Sequence, residues 1–162
     1  MKVAITRNGE TKSSELSGIR TTQLGEAVSS YGNWTFNVTL GTPNIAASGG
    51  SSTISVSRPT RTVTLNTGDT VTETATTGTF AVTSSNGSFT LNSANGSMTS
   101  SGVPSFTVSV GSTGAAAVDA ISSTIKVVFT STSPTTGTTT AQVSKTVSRN
   151  ASVYSDHEFR FS

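Results

Sequence analysis

Residues 74–118 contain no aspartate, glutamate, lysine or arginine, and over all 162 residues only 11% are charged, well under the roughly 25% of an ordinary soluble domain. Ionisable side chains carry most acid, base, nucleophile and metal chemistry, so a chain that leaves them out of its central body is not expected to be an enzyme or to need a cofactor. There is no cysteine, which excludes disulfides and thiolate metal sites. No run approaches the ~18 apolar residues of a membrane-crossing helix, and the opening MKVAITR turns polar before a signal peptide's apolar stretch of ~7–15 residues could form. No membrane partner is expected. The formal charge is only +2, with no basic stripe and few aromatics to stack on bases, so nucleic acid is not an expected partner either.

What fills the chain instead is hydroxyl. Serine and threonine make up roughly three-eighths of it, a surface solvated by OH groups rather than by ions. Low hydrophobicity alone would suggest disorder, but disordered chains combine it with high charge and lack alternating β-branched segments. Here valine, isoleucine, phenylalanine and threonine alternate, and the expectation is an all-β fold. Domains cluster near ~100–150 residues, so the length suits one sandwich domain with appended arms. The division expected is an N-terminal anchoring arm over 1–30, a β-sandwich over 31–153 and a C-terminal docking tail over 154–162.

Trp34, Phe36, Val38 and Leu40 share parity, the pattern of a strand buried on one face, and Trp34 is expected in the core rather than as a sugar-stacking platform. Ile54 with Val56 and Val63 with Leu65 predict two further strands, separated by Arg58-Pro59, where the missing proline N–H breaks the ladder. A threonine-rich edge strand is expected over 70–77. Phe106, Val108 and Val110, then Ile125, Val127 and Phe129, then Ala141, Val143 and Val147 predict three more, with Lys145 at the parity of the last set and therefore near an edge or snorkelling to water. Residues 111–119 read as a small-residue loop with one helical turn at 115–117, and 131–140 as an exposed loop tip around Pro134 and Gly137. Asn86-Gly87 and Asn95-Gly96 each predict a tight hairpin, the first pairing Val82 with Leu91, because both residues tolerate positive φ.

The ends differ in composition. Val3 and Ile5 predict a short strand, and Leu16, Ile19, Leu24 and Val28 fall loosely on one helical face weakened by Gly18 and Gly25. In the tail, Phe159 and Phe161 with Tyr154 nearby would be poor company for water at a free end, so they either pack back on the domain or dock on another subunit. Val3, Ile5, Leu16, Ile19, Leu24, Tyr154, His157, Phe159 and Phe161 are the candidate partner-binding residues, and a homo-oligomer is one arrangement they allow.

Catalytic arrangements find no footing. His157 is the sole histidine, no G-x-S-x-G frames a serine, and contiguous Asp156, His157 and Glu158 cannot converge on a metal along an extended strand. Asp69 and Glu73 are too few for a glycosidase pair, and no Gly-Lys-Ser/Thr follows a glycine-rich loop.

Short strands at regular turn spacing, with Trp34 as a core anchor and no inter-sheet cysteines, suit an Ig-like β-sandwich. The segments IAASGGSSTISVS (45–57), TRTVT (60–64) and GSFTLNSANG (87–96) resemble the Ig-like modules of Bacteroidetes surface proteins, and more closely those in virion proteins of their tailed, crAss-like phages. The resemblance covers roughly residues 42–151. A free-standing module with an arm at each end is similar to head auxiliary or decoration proteins. It implies a virion structural protein on the phage capsid surface, assembled in the host cytoplasm and bound to the major capsid protein or other virion proteins. The alternative it implies is an adhesion module contacting host-surface glycans. No catalytic residue comes with it.

Overall fold

Most of the period-two runs become strands. The computed structural model describes residues 2–7, 10–15, 27–112 and 119–152, and every regular element among them is a strand. In chain order these are β1 (Lys2–Arg7), β2 (Glu10–Glu15), β3 (Val28–Tyr31), β4 (Val38–Leu40), β5 (Asn44–Ile45), β6 (Gly49–Val56), β7 (Thr60–Leu65), β8 (Thr70–Thr74), β9 (Thr77–Ser84), β10 (Phe89–Leu91), β11 (Asn95–Met98), β12 (Ser105–Gly111), β13 (Ile121–Ser133) and β14 (Thr140–Arg149).

Two sheets, ordered β10-β12-β6-β4 and β11-β9-β13-β14-β5, share one apolar core as a β-sandwich, and a third, β3-β7-β8, joins them. Each inward row supplies the expected residues: Ile54 and Val56 from β6, Phe80 and Val82 from β9, Phe106, Val108 and Val110 from β12, and Ile125, Val127 and Phe129 from β13 are all buried. The row on β13 is apolar in the middle and closed at each end by a buried serine, Ser123 and Ser131. Each has a partner, as buried hydroxyls require: Ser123 Oγ lies 2.7 Å from Ser84 Oγ, and Ser131 Oγ donates to the Pro134 oxygen at 2.7 Å. Trp34 and Phe36 are buried with Val38, as their parity predicts, yet only residues 38–40 form a strand with β6. Upstream, Thr35 bridges to Thr60 of β7, so this short segment links two sheets.

Both Asn-Gly hairpins are overturned. β9 has β13 on one side and β11 on the other, so neither of its edges is free for β10, which pairs with β12 in the opposite sheet. Asn86-Gly87 is instead a corner between sheets. The Phe89 N–H donates to the Asn86 oxygen at 3.0 Å, Ser88 N–H donates to Asn86 Oδ1 at 3.0 Å, and Asn86 Nδ2 donates to the Ser122 oxygen at 3.1 Å. Asn95 and Gly96 lie inside β11, opposite Ala81 and Phe80. Glycine is needed at 96 for space: a Cβ there would sit 2.6 Å from Pro104 Cβ and 2.9 Å from Phe106 Cζ. Gly96→Ala is therefore expected to destabilise by about 1–3 kcal/mol through overpacking, read as a lower urea midpoint. Gly87→Ala, where a Cβ meets nothing within 4 Å, is expected to leave the midpoint in place.

Three further differences concern boundaries. β3 begins at Val28, inside the range allotted to the arm, because Val28, Ser30 and Tyr31 pair with Leu65, Thr64 and Val63. The threonine-rich edge strand ends at Thr74, and β9 starts at Thr77. β13 runs on to Ser133, so part of the expected loop tip at 131–140 is strand. Lys145 is exposed on β14, whose outer edge is covered by β5 only at Ser148 and Arg149, in keeping with its expected edge position. The helical turn expected at 115–117 lies outside the described residues.

Candidate functional site

The three-stranded sheet has two chemically opposite faces, and register decides which residue lies on which. Opposed residues in an antiparallel ladder point to the same side, and successive residues alternate. The pairs Thr60↔Thr74, Thr62↔Thr72 and Thr64↔Thr70 therefore form one face, extended by Ser30 opposite Thr64 and Thr35 opposite Thr60. Eight hydroxyls line this face, and no charged or aromatic side chain interrupts the paired rows. Thr35, Thr62, Thr70, Thr72 and Thr74 are exposed on it.

On the other face, Val63 opposes Val71 and Arg61 opposes Glu73. The Arg61 side chain is 0% exposed. Its guanidinium carbon lies 4.4 Å from the Tyr31 ring centroid and 4.3 Å from that of Trp34, a cation held between two π-faces. Nε donates to Glu73 Oε2 at 2.7 Å, and Nη2 lies 2.6 Å from the same oxygen. Nη1 donates to the main-chain oxygen of Thr136, and Nη2 donates to Thr136 Oγ1 at 3.0 Å. One arginine thus ties together β3, β7, β8 and the loop between β13 and β14. That loop is not a free tip: Gly137, at φ 71°, approaches so closely that a Cβ there would stand 2.7 Å from Tyr31 Cβ.

Two more arginines act as brackets on main-chain oxygens. Arg58 Nη1 donates to Ala75 at 3.0 Å and its Nη2 to Thr99 at 2.8 Å, bridging the segments before β9 and after β11. Arg149, buried at the end of β14, donates to Gly111 at 3.1 Å and Asp119 at 3.2 Å, the two flanks of residues 113–118. Arginine side chains here fasten the fold rather than gather into a cationic patch.

Trp34, at 2% exposure, is no platform for a ligand. No group of three or more metal-binding side chains occurs among the described residues, and Glu73 is engaged by Arg61. The chain matches no protein-family model, no curated protein and no solved structure. Sequence and geometry therefore carry the functional reading alone.

Of the expected partner-binding residues, Val3 and Ile5 fall in β1, which pairs with β2 from Lys2↔Glu15 to Arg7↔Glu10. Neither strand belongs to another sheet among the described residues. Leu16, Ile19, Leu24, Tyr154, His157, Phe159 and Phe161 lie outside the described residues. The Arg61 cluster was missed, although its signal is in the sequence: in TRTVT and TVTET, Arg61 and Glu73 hold the parity of the valines, so opposite charges share the inward register.

Proposed function

We propose that this chain is a phage virion structural protein, an auxiliary or decoration protein of the head whose sandwich, of Ig-like type, is carried on the major capsid protein lattice by its terminal segments. The observation that carries the reading is the β1–β2 hairpin. A two-stranded hairpin is marginal in water by itself, and stable sheets need a third strand or an apolar surface beneath. β1 and β2 pair only with each other among the described residues, so a partner surface that adds a strand would complete them. The resemblance to crAss-like phage modules supplies the class of partner. Many copies on one lattice would compensate for weak single contacts.

The sandwich suits projection from a shell. Its three-stranded sheet presents neutral hydroxyls, and its buried cations are spent on internal carbonyls and on Glu73. The alternative, an adhesion module for host-surface glycans, draws support from the same hydroxyl face, but among the described residues Tyr31, at 36% exposure, is the one exposed aromatic available for stacking.

Lysines mark the two halves conveniently. Lys2 and Lys12 lie in the hairpin, whereas Lys126 and Lys145 are exposed on the sandwich. Amine-reactive cross-linking of decorated heads is expected to join Lys2 or Lys12 to the shell protein. Links to the shell only through Lys126 and Lys145 would show that the sandwich, not the hairpin, makes the attachment.

A further inference from the structure

The two described Asn-Gly pairs occupy opposite environments, and neither makes the hairpin its composition suggests. Asparagine followed by glycine carries a reactivity of its own: with no side chain to obstruct it, the glycine nitrogen can reach the preceding carboxamide carbon. Asn86 is half-buried in a corner whose other residues, Ser85, Gly87 and Ser88, are exposed, and its carboxamide folds back over the turn, Oδ1 accepting from Ser88 N–H at 3.0 Å. Gly87 is exposed, and nothing lies within 4 Å of the position its Cβ would take. Asn95 is exposed, but Gly96 is fixed in the β11–β9 ladder against Pro104 and Phe106, so its nitrogen cannot swing toward the side chain.

We infer that Asn86 is a site of spontaneous covalent modification, converting irreversibly to aspartate and isoaspartate while Asn95 is protected by its strand. The Gly87 main-chain nitrogen attacks Asn86 Cγ. An N–Cγ bond forms, the Cγ–Nδ2 bond breaks, and Nδ2 leaves as ammonia, taking up the proton that the Gly87 amide loses. The five-membered succinimide is then opened by water at one of its two carbonyls, giving aspartate or the side-chain-linked isoaspartate. Nothing is oxidised or reduced, and water is the only co-reactant.

The consequence is local and directed. Asn86 Nδ2 no longer donates to the Ser122 oxygen, and a carboxylate oxygen takes its place beside that carbonyl. The isoaspartate form also lengthens the main chain within the corner, where Asn86 N–H donates to buried Ser123 Oγ at 3.2 Å and Ser123 Oγ meets Ser84 Oγ. Residues 74–118 then hold an acidic group for the first time, at the junction between the two large sheets.

The test is incubation of the full-length folded protein at mildly alkaline pH, followed by peptide mapping by mass spectrometry and enzymatic methylation of isoaspartate. An unfolded synthetic peptide spanning residues 83–90 serves as the reference clock. The expected result is conversion in the Asn86 peptide, slower than in the reference because the bond to Ser122 must open, with the Asn95 peptide unchanged. Gly87→Ala, whose added methyl meets no neighbour, is expected to fold normally and to lose the signal. An Asn86 peptide still unmodified after many reference half-lives, an equal rate at Asn95, or an undiminished signal in Gly87→Ala would overturn the inference.

Discussion

Replacing Arg61 with alanine is expected to cost about 3 kcal/mol, the low end of what breaking a buried ion pair costs, because Glu73 stays partly in water. The guanidinium fills the space between Tyr31 and Trp34, and its removal takes the shared cation from both rings and leaves the Thr136 oxygen without its donor. Against a typical domain stability of about 5–15 kcal/mol this is a large share. Arg61→Lys is expected to recover little, since a point charge cannot donate to Glu73 and Thr136 as a planar fork does. Trp34 is the sole tryptophan and touches the substituted group, so its fluorescence during urea unfolding reads the effect directly. A loss within about 0.5 kcal/mol, the range of an ordinary surface substitution, would show that the cluster adds nothing to the fold.

Phe129→Ala is expected to be as severe or worse, at about 3–5 kcal/mol. Phe129 is fully buried and meets three rings, those of Trp34, Phe36 and Phe80, at centroid separations of 6.1, 6.3 and 5.1 Å. Edge-to-face pairs contribute about 0.5–1.5 kcal/mol each beyond the area they bury, so the cavity is lined by groups that lose a specific partner as well as a filled volume. The backbone is shaped around this ring too. Gly78 on β9 faces it so closely that a Cβ there would overlap the ring edge and stand 2.6 Å from the Thr130 oxygen. Denaturant melts of Phe129→Ala and Phe129→Leu separate these contributions: leucine is expected to fall between wild type and alanine. Equal midpoints for all three proteins would contradict a core organised on Phe129.

The strands were legible because their signal is intrinsic. Ile125, Val127 and Phe129 alternate in sequence and point inward together for the same geometric reason. Pairing was harder to read, since it depends on which edges remain open. Asn86-Gly87 has the composition of a hairpin turn, but β11 and β13 flank β9 and send the chain to the other sheet. At Gly96 the glycine answers to the bulk of Pro104 and Phe106, residues distant enough that no local pattern announces them. Arg61 is masked by composition rather than by distance: an arginine among threonines reads as solvated, and only its parity with Val63 and Leu65 gives its burial away. The hydroxyl face followed from composition in general terms, whereas its eight-member arrangement came from the register of β3, β7 and β8.

The claim that the terminal segments attach the sandwich to a capsid is tested most directly by co-sedimentation with assembled heads of a Bacteroidetes tailed phage, using the full chain and a form restricted to residues 27–152. That boundary keeps β3 in its sheet, so the shorter form retains the Arg61 cluster and its folding can be verified by Trp34 fluorescence before binding is measured. The account predicts that the full chain pellets with the heads and the shorter form stays in the supernatant. Equal pelleting of both forms would contradict it.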